Sequence, residues 1–120
     1  MATKISIIDD DRAVREATKD LLRSLGYAAE AFDSAETFIA KGDFAETSCI
    51  LADIQMPGMD GVALQAFLVE CGHALPMIFI TAFPDEGVKQ RVLASGAYGY
   101  LVKPFDESRL LDCINNAIAH

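Results

Sequence analysis

The chain has 120 residues, 52% of them apolar and 23% charged, enough for one domain around one core, and its formal net charge is −8. That acidity argues against nucleic-acid or anionic-membrane contact, since either needs a basic patch. No apolar run nears the ~20 residues of a membrane span, Met1 to Lys4 is too short and polar for a signal peptide, and Cys49, Cys71 and Cys113 form neither metal spacing nor a disulfide framework. A cytoplasmic protein with reduced thiols is expected.

In chain order, Ile5–Ile8 is β-branched and reads as a buried strand. Val14, Ala17, Leu21, Leu22 and Leu25 recur at helical spacing, and Gly26 is a natural stop. Ala28 to Phe32 is a weaker strand. Asp33-Ser34-Ala35-Glu36 looks like a helix start, with Asp33 or Ser34 as its cap. Residues 49–52 predict a third strand, and Val62 to Leu68 a helix ending near Gly72. Met77 to Ile80 predicts a fourth strand. Val88, Val92 and Leu93 mark a helix stopping at Gly96. Tyr98 to Val102 predicts a fifth strand, and Asp106 is expected to cap a last helix carrying Leu110, Leu111, Ile114 and Ile118. No repeat or Pro/Ser linker divides the chain, so residues 1–120 are expected to form one domain. Strands alternating with helices predict right-handed crossovers and a parallel sheet covered on both faces.

In such sheets the chemistry sits beyond the carboxyl ends of the strands, at the switch in strand order. The first strand runs into Asp9-Asp10-Asp11, the third into Asp53, the fourth into Thr81 and the fifth into Lys103-Pro104. Clustered carboxylates repel, and a hard divalent cation relieves the repulsion. Oxygen ligands in a partly open site suit Mg²⁺, with Mn²⁺ as a substitute. A carboxylate can attack a phosphoryl group, and that transfer needs chiefly positioning and neutralised charge. The strand-end reading puts Asp53 across a shared cation from Asp9 and Asp10. Lys103 and Thr81 then fall on the opposite side of the incoming group.

The run Ile7-Ile8-Asp9-Asp10-Asp11, then Asp53-Ile54-Gln55-Met56-Pro57-Gly58-Met59-Asp60-Gly61, then Ile80-Thr81-Ala82, then Lys103-Pro104-Phe105 resembles the receiver domains of two-component systems, across the whole chain. Residues 33–38 and 95–105 look most like receivers of nitrogen-fixation and LuxR-type transcription regulators. The resemblance implies a doubly wound (βα)5 flavodoxin-like fold with strand order 2-1-3-4-5. It implies that Asp53 is phosphorylated, that Asp10 binds Mg²⁺ directly and Asp9 through water, and that Gln55 offers its backbone carbonyl. Arg15 matches a basic position of the pattern. Thr81 and Lys103 match the switch hydroxyl and the phosphate-binding lysine, Tyr100 the aromatic that moves on activation. A cis Lys103–Pro104 bond is also implied. Gln55 and Phe83 occupy variable positions that tune hydrolysis.

The resemblance further implies a phosphoryl-accepting switch with autocatalytic transfer and slow autodephosphorylation, rather than a turnover enzyme. Implied partners are a sensor histidine kinase, an output domain or downstream protein reached through the fourth helix, fifth strand and fifth helix, and a second copy in a phosphorylation-dependent homodimer. A module that binds proteins without phosphorylation is the alternative; the intact constellation speaks against it. A hydrolase or nucleotide-binding enzyme lacks its markers, since neither G-x-x-x-x-G-K-[ST] nor G-x-G-x-x-G is present. His73 and His120 are isolated and read as neither metal ligands nor phosphodonors. Cys49 and Cys113 read as apolar fillers.

Overall fold

The computed structural model describes residues 3–73 and 75–118, so His120 lies outside the described residues. Five strands alternate with five helices: β1 (Lys4–Ile8), α1 (Arg12–Ser24), β2 (Ala28–Phe32), α2 (Ala35–Lys41), β3 (Cys49–Asp53), α3 (Gly61–Glu70), β4 (Met77–Thr81), α4 (Glu86–Ala94), β5 (Gly99–Val102) and α5 (Glu107–Ile118). The sheet is parallel, in the order β2-β1-β3-β4-β5 expected of the doubly wound fold.

The apolar strands form because both sheet faces are covered, and side chains alternate between the two layers. Ile8, Ile50, Ala52 and Phe79 join Phe38, Leu64, Leu68 and Val92 on the α2–α3–α4 side. Ile5, Ile7, Leu51, Ile78 and Ile80 join Leu22, Leu110 and Ile114 on the α1–α5 side. Burying each Ile, Leu, Val or Phe side chain among these stabilises the fold by about 1.5–3 kcal/mol before entropy is counted. The central strands β3 and β4 are buried along their whole length, which fixes where their carboxyl ends lie.

Polar side chains start the helices as the first-turn amides require. Asp11 accepts the Ala13 and Val14 amides at the head of α1, Ser34 accepts Thr37 at α2, and Asp60 accepts Ala63 at α3. At the start of α2 it is therefore Ser34, of the two candidates, that caps. The last strand begins at Gly99; the Tyr98 amide still donates to the Met77 carbonyl, 2.8 Å away. Gly99 must stay small, because a Cβ there would sit 2.6 Å from Cys113 Sγ. Cys49 is buried, and burial pushes its thiol up to about 12; Cys113 is only half-buried and Cys71 is exposed. His73 is exposed, its ring edge-on to Phe44 with centroids 4.9 Å apart.

Among the described residues no helix is long and apolar enough to cross a membrane.

Candidate functional site

Strand order reverses direction between β1 and β3, and the carboxyl ends of these two strands carry the acids. The register pairs Ile7 with Leu51 and Ile8 with Ala52, so one step further sets Asp9 beside Asp53. Both lie two residues beyond side chains of the α1–α5 layer and therefore project toward the same face. Asp9 is fully buried and Asp53 only 5% exposed, while Asp10 is exposed. Carboxylate oxygens of all three lie within 4.8 Å of one another.

Lys103 enters this cluster from the end of β5. Its Nζ donates to Asp53 Oδ2 at 2.8 Å and to Asp9 Oδ2 at 3.0 Å. The structure makes Lys103 the counter-ion of Asp9 as well as of Asp53. Close carboxylates repel, and a flexible four-carbon stem lets the Lys103 ammonium settle where two of them meet. The Lys103–Pro104 peptide bond is cis.

The electrostatics follow from this packing. Burial pushes the Asp9 carboxyl above the usual carboxylate value, against the pull of the Asp11 amide and of Lys103. Burial alone lowers the Lys103 ammonium, but hydrogen bonds and charges from Asp53 and Asp9 outweigh it and leave the group above its ordinary value.

Backbone contacts hold the acids in place. Asp9 Oδ1 accepts the Asp11 amide, and Arg15 donates through Nη1 to the Asp9 carbonyl at 2.8 Å. Asp53 Oδ1 accepts the Gln55 amide at 3.0 Å. Behind β3, Gly61 opens α3; a Cβ there would meet the Asp53 carbonyl oxygen at 2.7 Å and Ile54 Cα at 3.1 Å. Asp10, Asp11, Asp53, Gln55, Ala82, Phe83 and Lys103 line a cavity of about 240 Å³ that opens to solvent.

Thr81 ends β4, fully buried. Its hydroxyl donates to Gln55 Oε1 and accepts the Phe83 amide at 3.0 Å. Phe83 itself is 70% exposed at the cavity rim. Tyr100 is half-buried in β5, and its hydroxyl accepts the amide of Asp85, the residue that caps α4, at 3.0 Å. Tyr100 is therefore tied to α4 rather than to the acid cluster.

Two further residues make contacts that the sequence reading did not assign to them. Glu36 of α2 reaches 23 positions along the chain to accept the Met59 amide at 3.0 Å, and its carboxylate fills the space beside Gly58, whose φ is +77°. Asp85 was equally silent. Only Gly58 carried a hint, as a glycine in a turn.

The donor set fits a hard divalent ion. Its carboxylates are close enough to share a cation, two are buried, one is exposed to bulk water, and an ammonium already occupies part of the negative field. Receiver domains generally bind Mg²⁺ at an acidic pocket of this kind.

Comparison with known proteins agrees with this geometry. Residues 5–115 match the response regulator receiver domain family. The chain is 38% identical over 117 residues to the response regulator protein TodT of Pseudomonas putida, covering 98% of this chain and 52% of TodT. It is 33% identical over 120 residues to the transcriptional regulatory protein FixJ of Bradyrhizobium diazoefficiens, covering 98% of this chain and 58% of FixJ. The chain thus spans little more than half the length of these curated relatives. Among solved structures, that of the response regulator StyR superposes with a TM-score of 0.92 at 38% identity, covering 99% of this chain and 60% of StyR. The chemotaxis protein CheY4 of Vibrio cholerae superposes with a TM-score of 0.87 at 27% identity, covering 98% of this chain and 99% of CheY4. Proteins of this family work with histidine kinases and output domains. With the fold, the acid cluster and these matches in agreement, the chain belongs to the receiver domain family of two-component response regulators, whose members are phosphorylation-dependent switches.

Proposed function

We propose that Asp53 accepts a phosphoryl group from the phosphohistidine of a sensor kinase. The observation that carries this is the placement of the Asp53 carboxylate, 2.8 Å from Lys103 Nζ and sharing one cluster with Asp9 and Asp10, at the floor of an open cavity. An Asp53 oxygen bonds to phosphorus while the donor's P–N bond breaks. The imidazole leaves with the electron pair and takes up a proton. Lys103 neutralises one equatorial oxygen, and the Thr81 hydroxyl, once turned inward, a second.

Asp9, Asp10, Asp53 and the Gln55 backbone carbonyl would hold Mg²⁺, or Mn²⁺ in its place. The ion supplies charge neutralisation for the transferring group. The buried Asp9 has both oxygens engaged and suits contact through water, whereas the exposed Asp10 suits direct ligation. Hydrolysis follows when water attacks the same phosphorus and frees Asp53, so the domain resets itself and turns over no substrate of its own. The signal leaves through α4, β5 and α5 to an output domain or downstream protein, with Tyr100 following Thr81, or through a second phosphorylated copy.

The test is incubation with Mg²⁺ and a small acyl phosphate donor, read by intact mass. One added phosphoryl group is expected, and none in Asp53→Asn. If Asp53→Asn is labelled at the same peptide, the assignment is wrong. A chain that takes no phosphate and ignores a beryllofluoride mimic at millimolar Mg²⁺ is instead a binding module that works without phosphorylation.

A further inference from the structure

We propose that the Gln55 side chain latches Thr81 in the unphosphorylated state, by holding the one hydroxyl proton that the phosphoryl group would need. The inference rests on Asp53 being the acceptor and concerns how the same site is regulated. Gln55 then acts as a positioning residue, through Thr81.

The argument is one of hydrogen-bond capacity. A threonine hydroxyl has one proton to donate and lone pairs to accept. Thr81 Oγ1 already accepts the Phe83 amide at 3.0 Å, and its proton goes to Gln55 Oε1 at 2.5 Å. Thr81 is fully buried, so bulk water is not at hand to take the proton instead. The hydroxyl cannot donate to Gln55 and to an oxygen on Asp53 at the same time, so one bond must break before the other forms.

The two ends of this competition share a peptide. The backbone amide of Gln55 donates to Asp53 Oδ1 at 3.0 Å, while its side chain holds Thr81. A group added to Asp53 therefore disturbs the residue that holds the switch hydroxyl. Gln55 is itself exposed, so its side chain, once released, is free to turn into water. A neutral hydrogen bond contributes a modest net free energy, which corresponds to about a five-fold bias toward the latched state.

The test is a beryllofluoride titration at saturating Mg²⁺, followed by the Thr81 amide resonance, on the wild type, Gln55→Met and Gln55→Ala. Titration with Mg²⁺ alone corrects for any change in metal binding. Both variants should bind the mimic about five-fold more tightly than the wild type. The same substitutions made in a Thr81→Val or Thr81→Ala background should change nothing, because no hydroxyl proton remains to hold. Equal or weaker binding by both variants overturns the latch, as does an equal gain in the Thr81-substituted background, which would mark an effect of loop structure alone. A wild type that never responds to the mimic overturns the Asp53 assignment and the latch with it. A responding wild type with unchanged variants overturns the latch alone.

Discussion

Replacing Asp10 by Asn keeps the shape of the side chain and removes one of three clustered negative charges. The carboxylate oxygens lie within 4.8 Å of each other. At that separation two unit charges repel by about 1 kcal/mol in water and about 3.5 kcal/mol at an effective permittivity of 20. Asp10 is exposed, so the lower figure applies. It faces two carboxylates, and the Lys103 ammonium offsets one of these repulsions. Asp10→Asn should therefore stabilise the metal-free domain by about 1 kcal/mol, raising the urea midpoint by about 0.3–1 M. On the proposed metal site the same change removes an ionic ligand, and against a doubly charged cation the expected loss is about 2 kcal/mol, or roughly thirty-fold in Mg²⁺ affinity. Saturating Mg²⁺ stabilises the form it binds, so the wild type gains more from it than the variant does. Urea melts with chelator and with Mg²⁺ should place the two proteins in opposite orders. A variant less stable without metal, or still the more stable one at saturating Mg²⁺, would refute the shared-cation cluster.

Lys103→Met strips Asp9 and Asp53 of their common counter-ion and should destabilise the metal-free domain by about 3 kcal/mol near neutrality. Since the folded state raises the Lys103 value above 10.5, its contribution is complete below pH 10.5 and is lost as pH rises through the folded-state value. The stability difference between wild type and variant should accordingly shrink in alkaline melts; a difference that stays constant contradicts the ion-pair account. Gly99→Ala drives a Cβ to 2.6 Å from Cys113 Sγ and should cost about 1–3 kcal/mol by denaturant melt. Adding Cys113→Ala should recover part of that cost, and no recovery would place the strain elsewhere. Glu36→Ala leaves the Met59 amide without its acceptor, so hydrogen exchange at Met59 should quicken about five-fold, while an unchanged rate would mean the tether is idle.

Strand ends and helix starts were readable because they rest on local chemistry. A β-branched run such as Ile5–Ile8 can bury both faces, and Ser34 can cap only what immediately follows it. The acids at the ends of β1 and β3 were readable for the same reason, since the parallel sheet turns sequence position into spatial position. The reach of long side chains was not. Nothing in the order of residues says that Lys103 bridges to Asp9 as well as Asp53, because that depends on a four-carbon stem relaxing among charges. Gln55 was singled out for its backbone carbonyl, yet its side chain also holds a partner 26 positions away. Glu36 looked like an ordinary first-turn acid of α2 and became a tether only once α2 had packed beside the loop after β3.

The glycine at the start of α3 has a mechanical consequence. With hydrogen alone at that Cα, the helix end rests directly against the carbonyl oxygen of Asp53 and the backbone of Ile54. Strand β3 is thus backed by a helix end with no room for even a methyl group between them. The site is open on the opposite side, at the cavity rimmed by the exposed Phe83, whose amide is held by the Thr81 hydroxyl at the end of β4.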